Sequence, residues 1–153
     1  MPEIYLDDLA PGQLHELGRH TVGADEIVAF ASLWDPQPFH LDEQVAARSI
    51  YGGLIASGWH TCCIFMRLFA DGLLNRAVAM GSPGIDELRW LRPVRPGDTL
   101  FGRVEVVEVR PSRSRPDRGI ARLRSSMRNQ ADEEILSFIA AVMFGRRPGA
   151  GAD

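Results

Sequence analysis

The chain has 153 residues, 45% of them hydrophobic, and a net charge of −3. That length fits one domain with its own core, and the charge is too small to announce nucleic acid or a membrane surface as the partner. No apolar run reaches the ~18 residues of a membrane span, residues 1–12 lack the basic-then-apolar pattern of a secretory signal, and the complete absence of lysine excludes Schiff-base chemistry and a lysine general base.

In chain order, residues 14–22 (LHELGRHTV) read as a strand. Ala24 or Asp25 then opens an amphipathic helix with Ile27, Val28, Phe30, Ala31 and Leu33 on its apolar side. Pro36 and Pro38 end it, because a residue before proline is pushed out of the α region. Asp42 is a good N-cap for a second short helix over 43–49, and Gly52-Gly53 breaks the chain. A long helix follows over 58–75, with Ser57 as its cap. It is apolar almost all round, which predicts a buried helix. Its adjacent cysteines, Cys62 and Cys63, read as reduced core residues of a cytosolic protein rather than a disulfide framework.

Residues 76–92 read as a strand interrupted at Gly81–Gly84, and Pro96-Gly97-Asp98 as a turn. Residues 99–110 alternate as a strand whose phase slips at Val106-Val107, predicting a bulge. Residues 119–129 alternate again, 130–133 turn, and 134–145 form a nearly continuous apolar strand of a sheet interior. Residues 146–153 read as a frayed tail. One strand, short helices, one long apolar helix and four strands make a single α+β domain over 1–153. A curved antiparallel sheet wrapped around a central helix is the hot-dog architecture, and it does not by itself fix function.

Charge is unevenly spread. Residues 1–50 hold nine acids against Arg19 and Arg48, whereas residues 89–128 hold eleven arginines against four acids. That pattern is either the solvated face of strands or a surface meeting a phosphorylated ligand, whose oxygens match the guanidinium fork. Four scattered histidines and two cysteines form no metal-ligand pattern.

The stretch DPQPFHLDEQVAA, residues 35–47, sets an acid and an imidazole five residues apart with two prolines between them. Taken alone, Asp35 is an ordinary turn residue and His40 a satisfied loop histidine. Taken together they are a carboxylate and an imidazole usable for proton transfer near neutral pH, on a loop stiffened by proline. Backbone N–H groups at the N-terminus of the long helix are fixed donors, and the helix dipole adds to them. Gly58, with no Cβ, leaves room for a carbonyl to approach. Asp42 reads as a cap. Ser57 reads as a cap that can also serve the pocket.

This stretch resembles the signature of the MaoC-like dehydratases, also called (R)-specific enoyl-CoA hydratases. Asp35, Pro36, Gln37, Pro38, Phe39, His40 and Ala46 stand where that pattern has acid, variable residue, asparagine, proline, apolar residue, histidine and a small residue. GGLIASGWH looks like the family's second mark, with Gly58 lying 18 residues after His40. Trp34, Gln37 and Ser57 depart from the usual glycine, asparagine and histidine. The resemblance implies reversible addition of water to a 2-enoyl-CoA thioester, with Asp35 and His40 as acid and base and Gly58 in an oxyanion hole. Pro38, Phe39, Ser57 and Trp59 would line the substrate site.

The resemblance also implies no metal and no cofactor, coenzyme A being part of the substrate. It implies a homodimer or a higher dimer-based assembly, with the coenzyme A along the subunit contact and arginines between Arg89 and Arg128 facing its phosphates. A hot-dog thioesterase would carry a carboxylate on the central helix. Residues 58–70 contain none, and Asp71 comes too late. A non-catalytic acyl-thioester-binding domain is the alternative from another class. RNA binding lacks an accompanying aromatic stacking motif.

Overall fold

The computed structural model describes residues 3–150. Its strands are β1 (Leu14–Thr21), β2 (Ile85–Trp90), β3 (Thr99–Pro111), β4 (Arg118–Arg128) and β5 (Glu134–Gly145), and its helices α1 (Ala24–Trp34), α2 (Glu43–Ala47) and α3 (Gly58–Gly72). The strands form one antiparallel sheet in the order β1-β3-β4-β5-β2. The alternation read in residues 119–129 is the sheet's pleat. Ala121, Leu123, Ser125 and Met127 of β4 are buried while their neighbours are not. The phase slip in β3 is a register shift between Val106 and Glu108 against β4. The extra residue leaves Val107 exposed while Val104 and Val106 stay in the core.

α1 begins where expected. The Glu26 carboxylate accepts from the Gly23 N–H at 2.8 Å, and the helix closes at Asp35, whose N–H donates to Ala31 O. Ile27 and Ala31 are buried, but Leu33, expected on the same side, is 75% exposed. α2 is shorter than read, with Asp42 Oδ1 accepting from the Val45 N–H. Gly72 ends α3, and a tight 3-10 turn, Leu74–Arg76, replaces the predicted last turn. A Cβ on Gly72 would lie 2.8 Å from Leu17 Cα, so the crossing of α3 over β1 needs glycine there.

Three readings need correction. α3 is not buried all round. Ile64, Phe65, Leu68 and Phe69 face the sheet, but Trp59 is 57% and Met66 49% exposed, and Cys63 is exposed rather than in the core. Residues 76–92 are not one interrupted strand: Ala77 and Ala79 make isolated bridges, and β2 starts only at Ile85. β2 itself is irregular, with Glu87 at φ 55° and a register shift against β5 between Asp86 and Arg89. In the expected tail, Arg146 and Arg147 are held, pairing with Asp7 and Asp8 at 3.0 and 2.7 Å. Residues 151–153 of that tail lie outside the described residues.

The core is one cluster between α3 and the concave face of the sheet, including Phe65, Leu100, Val104, Leu123, Met127, Leu136 and Phe144. Leu123, fully buried at mid-β4, is the position to test. Leu123→Ala should lower unfolding free energy by about 2–5 kcal/mol, read as a fall in the urea midpoint at unchanged slope.

Candidate active site

The two prolines bring Asp35 and His40 together. Asp35 caps α1, and Pro36 prevents its continuation. Gln37 N–H returns to Asp35 O at 2.7 Å, and Pro38 opens a 3-10 turn over Pro38–His40. That turn swings the imidazole back beneath the carboxylate, with His40 Nε2 3.2 Å from Asp35 Oδ2. His40 is only 4% exposed. Its Nδ1 lies 2.7 Å from the Ile55 carbonyl. A carbonyl can only accept, so Nδ1 carries a hydrogen and Nε2 is the nitrogen left facing Asp35. Phe39 packs edge-on against the ring at 4.5 Å.

Asp35 is held on both oxygens. Gln37 Nε2 donates to Oδ1 at 2.7 Å, and Ser57 Oγ donates to Oδ2 at 2.7 Å. Burial pushes the carboxyl's pKa up, but the hydrogen bonds from Ser57 and Gln37 and the adjacent His40 outweigh it, and the net value lies below that of an ordinary aspartate. Asp35 therefore adds stability that is present above the usual aspartate pKa of ~4 and is lost as pH falls through its own lower value.

Ser57 joins the two halves of the site. It is fully buried and caps α3 by accepting from the Trp59 N–H at 3.3 Å. Its hydroxyl hydrogen goes to Asp35. Gly58, the first residue of α3, lines the same cavity as Asp35 and His40. Its own N–H meets no acceptor among the described residues. A Cβ on Gly58 would come within 2.6 Å of the Trp90 indole, and Trp90 Nε1 donates to Gly58 O at 2.8 Å. Glycine is thus required here by an indole from β2, whatever else approaches it.

The cavity has a volume of about 470 Å³. Asp35, Gln37, Phe39, His40, Tyr51, Ile55, Gly58, Trp59, Thr61, Trp90 and Arg92 are among its walls. Of the residues singled out in the sequence, Asp35, His40, Gly58, Phe39 and Trp59 line it. Pro38 and Ser57 do not: Pro38 shapes the turn and Ser57 acts through Asp35. Sequence reasoning missed Tyr51, Ile55 and Trp90, and it placed Arg92 only within the arginine-rich stretch from Arg89 to Arg128. The Ile55 contribution is a carbonyl, which leaves no mark in a side-chain pattern. Trp90 is three residues past a break in its strand. Beside the cavity and sharing Trp59 lies a second, apolar groove of about 490 Å³, walled by Phe65, Met66, Phe69, Phe138 and Val142.

Comparison with known proteins matches residues 10–129 to the family model described as MaoC like domain. The 3-hydroxybutyryl-CoA dehydratase of Methylorubrum extorquens is 33% identical over 98% of this chain and 92% of its own. The crystal structure of a MaoC-like dehydratase from Rhodospirillum rubrum superposes with a TM-score of 0.89 at 45% identity, covering 95% of this chain and 99% of that one. A Mycobacterium tuberculosis protein with a double hot-dog fold, 24% identical, matches with a TM-score of 0.82 over 95% of this chain and 45% of its own. That likeness establishes the fold as hot-dog.

The Gly58–Trp90 contact makes a specific expectation. Gly58→Ala should displace the indole and cost about 1–3 kcal/mol, visible as a lowered melting temperature together with a shift in tryptophan emission.

Proposed function

The chain belongs to the MaoC-like domain family, and from that premise we propose that it adds water reversibly to the double bond of a 2-enoyl-CoA thioester. Water gives its oxygen to the β carbon and a proton reaches the α carbon, so the reaction needs one group to take a proton and one to return it. Asp35 and His40 fill these roles, with His40 Nε2 3.2 Å from Asp35 Oδ2. The negative charge that grows on the thioester oxygen is met by the Gly58 N–H at the positive end of α3. The observation that carries the reading is the buried His40, locked by the Ile55 carbonyl so that Nε2 faces Asp35 at the cavity wall. The apolar groove beside Trp59 suits an acyl chain.

The thioesterase alternative finds no carboxylate on the first thirteen residues of α3. Asp71 lies at its far end, paired with Arg67 at 2.6 Å. The reading is tested with crotonyl-CoA and a longer 2-enoyl-CoA, following enoyl absorbance and free thiol together. Absorbance should fall without thiol release, and Asp35→Asn and His40→Ala should each lower kcat by about 10²–10⁴-fold. Thiol release would favour a thioesterase, and binding without turnover a non-catalytic acyl-thioester domain.

The exposed apolar face of α3 and the irregular edge strand β2 support a second copy of this chain as the partner that covers them. Sedimentation equilibrium should return twice the chain mass of 16.9 kDa, or an even multiple of it.

A further inference from the structure

Trp90 was not marked by any motif, yet it touches the most constrained part of the site. Its Nε1–H donates to Gly58 O at 2.8 Å. That carbonyl belongs to the peptide whose N–H, on Trp59, donates to Ser57 Oγ at 3.3 Å. The Ser57 hydroxyl donates in turn to Asp35 Oδ2 at 2.7 Å, and the same oxygen faces His40 Nε2 at 3.2 Å. Indole, peptide, hydroxyl and carboxylate therefore form one unbroken series in which every donor points the same way, toward the carboxylate. Hydrogen bonds in such a series polarise one another. A donor on Gly58 O draws electron density from the peptide and strengthens the Trp59 N–H as a donor. That bond makes the Ser57 O–H a stronger donor to Asp35. The remaining contacts fit a fixed ring: the indole stands edge-on to Trp59 at 5.2 Å, meets the Cys62 thiol and fills the space a Cβ on Gly58 would take.

We propose that Trp90 is a positioning residue for the dyad, acting on the Asp35 carboxylate through the Gly58–Trp59 peptide and Ser57 rather than by touching substrate. The inference rests on the hydration reading for its kinetic consequence, but the chain of hydrogen bonds is testable without turnover. Among the described residues, His40 is the titratable group in reach of Asp35. Tyr51 and Arg92 line the same cavity, and the other partners, Ser57 and Gln37, do not titrate.

The experiment is a double-mutant cycle read by carbon-13 NMR titration of the Asp35 carboxyl in wild type, Trp90→Phe, Ser57→Ala and the double variant. Trp90→Phe removes the donor but keeps a ring against Gly58. It should raise the titration midpoint by roughly 0.2–0.5 pH units, and Ser57→Ala should raise it further. With Ser57 already gone, Trp90→Phe should add nothing, because the link between them is broken. Trp90→Leu should match Trp90→Phe in midpoint even if it is less stable. In turnover, Trp90→Phe should lower kcat about three- to tenfold with KM within about twofold, and shift the acidic limb of the pH profile in the same direction as the NMR midpoint. An unchanged midpoint in Trp90→Phe, or a shift that adds fully to that of Ser57→Ala, would overturn the proposal and leave Trp90 as a wall of the cavity. Full activity in Asp35→Asn would instead overturn the hydration reading, and the NMR cycle would still decide whether the series of bonds exists.

Discussion

A carboxylate and an imidazole set side by side and largely out of water must have every polar atom answered, and the site is built around that demand. Asp35 answers it with Gln37, Ser57 and His40; His40 answers it with the Ile55 carbonyl. These groups come from two stretches of chain, residues 35–40 where α1 gives way to the proline turn and residues 55–57 that lead into α3. Meeting the polar demand of two side chains therefore ties the end of α1 to the start of α3. Removing one partner would leave a buried group unsatisfied, which costs more than the bond itself is worth.

α3 carries the other half of the design. Its sheet-facing side supplies core, including Phe65 stacked edge-on against Phe138 at 5.0 Å. Its N-terminus faces the cavity, where the Gly58 N–H meets no acceptor among the described residues. Its outer side leaves Trp59, Cys63 and Met66 uncovered. One helix thus meets three different environments, which is why a helical wheel without a polar side was a misleading guide to burial. Apolar residues all round can mean enclosure, or one face in the core and another kept for a ligand or a second chain.

Element order and the meeting of Asp35 with His40 were legible because they rest on local signals. Proline ends a helix wherever it stands, strict alternation marks a pleated strand, and the slip at Val106-Val107 could only be absorbed by a bulge. What stayed hidden was the contribution of backbone and of distant chain. Ile55 acts through a carbonyl. Trp90 acts across 32 positions of sequence on Gly58 O. The role of Ser57 as donor to Asp35 depends on a separation of 22 residues that no window of sequence spans. The extent of residues 76–92 was overread because apolar content resembles a strand even where Gly81, at φ 96°, turns the chain away. Arg146 and Arg147 were misplaced because their partners, Asp7 and Asp8, lie at the opposite end of the chain.

The strand order also carries a kinetic meaning. β3, β4 and β5 are neighbours both in sequence and in the sheet, so they can assemble as a meander closing only short loops. β1 and β2 occupy the two edges, and each pairs with a strand remote from it or separated by a turn region. The cavity takes Trp90 from one of those edges and Asp35 from the helix that follows the other. The cavity therefore depends on both edges of the sheet, where a strand has one neighbour instead of two. A molecule could lose a wall of the site by fraying at one margin while the three inner strands remain paired.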